Sequence, residues 1–291
     1  MRPNSSQSGF TLVEIAIVLL IVTILLGYTV ALFPRQQQLK QYRALDRQMD
    51  EVIEAIIGFA QINGRLPCPA IPNSLGVEDY DTAGDTGCNN YGGFVPVNTL
   101  GLNGRLNEDS LLLDPWGNPY RYYVTYVDFD DGGAGDSDFT APGEMRAVGL
   151  VDSDDDDYID LDGRYLICDA AGATTDDECD GASEVFGRFD DTGPANRYAG
   201  APIVLVSQGK NCNEAAAAGD ELANSGGSGT TSGLGLAVGP SGMDYVLKDV
   251  AGGETTFVRR PGGFADDYDD VVRWVSPNIL FSRMIQAGQL P

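Results

Sequence analysis

The sequence predicts an α+β protein, with a long kinked N-terminal spine helix packed on an antiparallel β-sheet domain that bears long acidic loops. Three observations carry this. Residues 10–33 are almost wholly apolar, residues 39–60 place apolar side chains at three- and four-residue steps, and beyond Gly64 short strand-like runs alternate with turn residues. A long helix followed by strands that pair among themselves is the α+β pattern.

Residues 1–9 read as a short polar leader. Residues 10–33 follow as one apolar helix, roughly 36 Å long at about 1.5 Å per residue, enough to cross a bilayer. Glu14 is the only formal charge in this stretch. A carboxylate in such a segment costs roughly 3 kcal/mol on insertion scales, so it marks a function. Pro34 removes a backbone donor and crowds the carbonyl of Val30, which predicts a kink there. Leu39, Tyr42, Leu45, Met49, Val52, Ile53, Ile56, Ile57 and Ala60 then form one apolar stripe, and Asn63-Gly64 ends the helix ahead of Pro67. The spine thus spans residues 10–63, with a membrane or filament half (10–33) and an amphipathic half (34–63).

Residues 64–291 form the globular domain. Residues 120–127, aromatic and β-branched between turn residues, are the best strand candidate. Residues 144–151, 165–168 and 202–207 are further strand candidates, residues 271–275 are a short apolar run after four aspartates, and residues 279–286 read as a short final helix. Residues 219–242 are rich in glycine and serine and read as a flexible loop.

The bulk composition excludes several functions. A net charge of −25 speaks against nucleic acid and anionic lipid heads as partners. The absence of histidine removes Ser-His-Asp and Cys-His catalysis and histidine-based zinc sites, so the chain is read as a non-enzyme. The five cysteines form no C-x-x-C pair. An exported domain favours disulfides; the cysteines can pair in several ways, and loop proximity favours Cys68–Cys88 and Cys168–Cys179, with Cys212 free.

The N-terminal junction does not have the order of a secretory signal, which puts its cleavage site after a short apolar core. In Gly9-Phe10-Thr11-Leu12-Val13-Glu14 the small residue precedes the apolar run, so cleavage there would leave the run on the mature chain. This order resembles the type IV prepilin and pseudopilin family. The resemblance implies that a prepilin peptidase cuts after Gly9, that Phe10 becomes an N-methylated N-terminus, and that Glu14 neutralises a neighbouring subunit's N-terminal amine during assembly. An ion pair is the form in which such a charge is tolerated in a low-dielectric bundle. The family's usual glycine and proline positions correspond to Thr23 and Ala31, whereas here Gly27 and Pro34 stand nearby.

Later segments extend the resemblance. Leu66-Pro67-Cys68-Pro69 looks like large pilin-like proteins, and Asp114-Pro115-Trp116-Gly117-Asn118-Pro119-Tyr120 is similar to a motif of the major pseudopilin of type II secretion. Asp269-Asp270-Val271-Val272-Arg273-Trp274 resembles the end of that domain. Residues 128–200 and 212–264 look like insertions into the small pseudopilin core.

Aspartates crowd residues 128–138, 152–162 and 266–270. Calcium takes six to eight oxygens, and alternating aspartates before a glycine turn supply several. Asp152, Asp154, Asp156, Asp160 and Asp162 are candidate ligands on this ground; Asp269 and Asp270 are candidates by the resemblance, with carbonyls of residues 207–211.

The resulting expectation is a structural subunit of a type IV pilus-like or type II secretion pseudopilus filament. It would sit first in the bacterial inner membrane as a single-pass protein with its C-terminal domain in the periplasm, and then in a periplasmic or extracellular filament with copies of itself or other pilin-like subunits. The alternative is a membrane-anchored calcium-dependent adhesin or a minor or tip pilin that binds a surface ligand. One signal opposes this orientation: Arg35, Lys40, Arg43 and Arg47 follow the apolar run, while the leader has only Arg2, and basic flanks stay cytoplasmic.

Overall fold

Helix α1 runs from Leu12 to Asn63. The computed structural model describes residues 10–84, 86–126, 137–149, 163–169, 184–187, 189–190, 197–198, 200–210, 224, 247, 256–260 and 268–291, with the backbone alone at 27–36, 184–185, 189–190 and 197–198. The chain divides into two compact units, Met1–Asp46 and Arg47–Pro291.

In the first unit α1 is apolar all round from Ile15 to Phe33, and its backbone stays helical through Pro34. A proline costs a helix one hydrogen bond and bends it without ending it when the flanking turns persist.

In the second unit the sequence stripe becomes a buried face. Met49, Val52, Ile56, Ile57 and Ala60 are buried, and the intervening Asp50, Glu51 and Glu54 are exposed. The helix stops where Asn63 turns its amide back to the Phe59 carbonyl at 2.9 Å and Gly64 takes a φ of 70°. Beyond it, strands β1 (Gly92–Phe94) and β2 (Arg121–Val124), helix α2 (Glu144–Val148), and strands β3 (Leu166–Cys168), β4 (Glu184–Phe186), β5 (Phe189–Asp190), β6 (Arg197–Tyr198), β7 (Ile203–Ser207), β8 (Thr256–Val258) and β9 (Val271–Val275) lead to helix α3 (Pro277–Gln286). The main sheet is antiparallel, in the order β1-β2-β7-β9; a second sheet has the order β4-β3-β8, with β3 and β8 parallel, and β5 pairs with β6.

Register decides what the main sheet buries. Tyr123 pairs with Val204 and Val206 with Val272, so these side chains share one face and meet Ile167 and Phe257 of the second sheet and Tyr165 just ahead of it. The Phe257 ring stands 5.0 Å from Tyr123 and 5.4 Å from Tyr165. Tyr122, one residue along, points the other way and donates its hydroxyl to the Pro67 carbonyl at 2.9 Å. The Tyr120 hydroxyl reaches Gln48 on α1 at 3.1 Å, and the Gln61 amide donates to the Arg283 carbonyl of α3 at 3.1 Å. These bonds tie the end of the spine to the sheet and to the C-terminal helix.

Residues 144–151 correct the sequence reading. Residues 144–148 are helix, not strand, with Arg146 and Ala147 both donating to the Gly143 carbonyl at 3.0 Å. Glu-Met-Arg-Ala are strong helix formers, and Pro142-Gly143 starts a turn just ahead of them. The polar–apolar alternation of a short segment was the weaker signal there. The aspartates of 152–162, Cys179 and most of 219–242 lie outside the described residues.

Candidate functional site at the start of the spine

Phe10 and Thr11 precede the helix, and Leu12 begins it. The first turn of any helix leaves backbone N–H groups without an intrahelical acceptor. Here the Glu14 N–H donates to Thr11 Oγ1 at 3.2 Å, and Thr11 N–H donates to Glu14 Oε2 at 2.9 Å. The Thr11 hydroxyl donates to the same carboxylate oxygen at 3.0 Å. This is a capping box, Thr-x-x-Glu, with each residue serving the other's backbone. The sequence reading gave Glu14 a role but passed over Thr11; the Thr-x-x-Glu pattern before an apolar run was the signal that finds it. Gly9 lies outside the described residues.

The rest of the segment offers apolar contact rather than chemistry. Phe10, Leu12, Ile15, Leu19 and Leu26 are exposed, Phe10 by 84% and Leu12 by 86%. Thr23, at the family's usual glycine position, satisfies its hydroxyl on the Leu20 carbonyl at 2.8 Å and so presents no free polar group to an apolar surrounding. Among the described residues no helix is long and apolar enough to cross a membrane; the apolar run of the sequence continues through residues 27–33, where only the backbone is described.

Residues 4–30 match the family model of the prokaryotic N-terminal methylation motif. The chain carries a prepilin-type leader. The motif takes in Gly9, Phe10, Thr11 and Glu14 together. No curated protein and no solved structure matches the chain.

A second set of polar residues surrounds the Asp114–Tyr120 turn. Asp114 is buried, and its Oδ1 accepts the N–H groups of Trp116, Gly117 and Asn118 at 2.8–2.9 Å. Its Oδ2 accepts the Ser207 hydroxyl at 2.7 Å. Burial pushes the Asp114 carboxyl above its usual range, while the bonds from Asn118, Ser207, Gly117 and Trp116 pull it back. Asn118 in turn donates to the Gly209 carbonyl, which joins this turn to residues 207–210. Asp269 closes the other side of that turn, its Oδ2 accepting Lys210 N–H at 2.6 Å.

The calcium candidates divide accordingly. The structure brings Asp269 to the turn named with it in the sequence, but the carboxylate holds that turn directly through the Lys210 N–H. Asp270 Oδ2 accepts the Asn224 amide at 3.0 Å. Among the described residues no three of Asp, Glu, Cys or His converge to hold a metal ion. Asp269 and Asp270 each accept a hydrogen bond in this geometry. Asp152, Asp154, Asp156, Asp160 and Asp162 lie outside the described residues.

A disulfide joins Cys68 to Cys88, with S–S 2.04 Å and Cα atoms 5.3 Å apart. Cys168 is disulfide-bonded too. Arg65 braces the closed loop, with its guanidinium paired to both Glu78 oxygens at 2.8 Å and lying 4.2 Å from the Tyr80 ring.

Proposed function

We propose that this chain is a structural subunit of a type IV pilus-like or type II secretion filament, processed between Gly9 and Phe10 and assembled through its N-terminal helix. The observation that carries the reading is the methylation motif at residues 4–30, set on a helix whose apolar side chains from Leu12 to Leu26 are exposed and whose first turn is capped by Glu14, the one charge of residues 10–33. Such a surface needs a cover, first lipid and then the helices of other subunits. The Glu14 carboxylate accepts the N-terminal amine of a neighbour, since two opposite charges in an apolar bundle are tolerated as a pair.

The disulfides support the orientation. Cys68–Cys88 and the bonded Cys168 belong in an oxidising compartment, which supports the reading that residues 64–291 face the periplasm or lie beyond it. This outweighs the basic residues after the apolar run, because structural disulfides persist in an oxidising compartment and not in the cytoplasm. The role is structural: the polar groups gathered at Asp114 and Asp269 are engaged in holding turns. We assign calcium to the aspartates of 152–162, whose mutual repulsion a divalent cation relieves.

Replacing Glu14 with Ala tests the assembly role. The variant should be cleaved like the native chain and be missing from sheared filaments; normal incorporation of Glu14→Ala would defeat the mechanism.

A further inference from the structure

Every bond that Glu14 makes through its side chain among the described residues goes to Thr11. Both of these bonds use Oε2, and the return bond from Glu14 N–H ends on Thr11 Oγ1. Oε1 takes part in none of them. A carboxylate has about four lone-pair sites, so it can keep the cap through one oxygen and accept an ammonium through the other.

We infer that Thr11 is a positioning residue for assembly: it fixes one oxygen of the Glu14 carboxylate so that the other is ready for the N-terminal amine of a second copy. This rests on the reading that the segment joins subunits. A free glutamate loses rotamer freedom when an ion pair fixes it. A capped one has given up that freedom already, so the incoming amine meets a preorganised acceptor. The hydroxyl is the group that matters, because it donates to Oε2 and accepts from the Glu14 N–H at once. Valine has the same shape without it, and serine keeps it.

The test compares the native full-length chain with Thr11→Val, Thr11→Ser and Glu14→Ala in cells that process and assemble it. Thr11→Ala, which lacks the same hydroxyl, serves as a second variant. Cleavage is read by intact mass. Pairing is read by zero-length carbodiimide crosslinking, which joins the Glu14 carboxylate to the Phe10 amine of another copy and is located by peptide mass. The expected result is that Thr11→Val and Thr11→Ala are cleaved normally while their crosslink yield falls about fivefold to tenfold, the equivalent of one lost cap. Thr11→Ser should restore the native yield. Native crosslinking in both hydroxyl-free variants, or failure of Thr11→Ser to rescue, overturns the inference and leaves the filament reading standing. Absence of both filaments and crosslinks in the native chain, or normal crosslinks at Phe10 in Glu14→Ala, overturns the filament reading and this inference with it.

Discussion

Ser207 and Asp114, 93 residues apart in the chain, are joined in the interior by a 2.7 Å hydrogen bond from the hydroxyl to Oδ2. The bond fastens the turn that leads into β2 to the end of β7, its neighbour in the main sheet. Asp114 is thus the centre of the Asp114–Tyr120 motif, since one oxygen gathers the turn and the other anchors it.

Asp114→Ala leaves three turn N–H groups and the Ser207 hydroxyl without their acceptor, and should destabilise the chain by about 2–4 kcal/mol in denaturant melts. Asp114→Asn keeps an oxygen for the N–H groups and offers its amide to Ser207, so it should cost under about 1 kcal/mol. The variant also reports on charge. The folded-state pKa of Asp114 is raised by burial, so the folded chain binds this proton more tightly than the unfolded chain. Its contribution to stability is therefore fully present below the ordinary carboxylate pKa and declines as pH rises through the raised folded value. Asp114→Asn should remove that part of the pH slope; an unchanged slope would show that Asp114 does not titrate this way.

Gly209 sits at φ 60°, where a β-carbon would lie 2.5 Å from both the carboxyl carbon and the backbone oxygen of Asp269. Gly209→Ala meets strain and a clash together, and should cost at least about 2 kcal/mol. Thermal melts of the full chain in detergent would check this, and a melting temperature equal to the native one would contradict the close approach.

Calcium is tested by the same melts. The melting temperature should be higher in millimolar calcium than in chelator, because a ligand that binds only the folded chain stabilises it. Asp269→Asn should keep that increment, since Asp269 Oδ2 is engaged by Lys210 N–H and the assigned ligands lie in residues 152–162. No shift with the native chain, or its loss in Asp269→Asn, would refute this assignment.

Much of this was legible in the residues, for identifiable reasons. The spine was plain because its apolar stripe repeats over many turns, and the strands at 121–124 and 203–207 because β-branched and aromatic residues lie between turn signals, whereas 271–275 read only as a short apolar run. Residues 144–148 were misread because so short a run has too few repeats to separate the two periods, and helix propensity decided it. The Asp114 to Ser207 link was illegible in principle, since nothing local to either residue announces a partner so distant in sequence. Thr11 was legible and overlooked: its spacing to Glu14 spells the cap.

The central claim is cleavage at the head of the spine, and the mass and N-terminal sequence of the mature protein recovered from cells test it most directly. The account predicts a chain that begins with N-methylated Phe10, and that a Gly9→Leu variant keeps its leader. A mature chain that retains residues 1–9, or that begins beyond the apolar run, would contradict it.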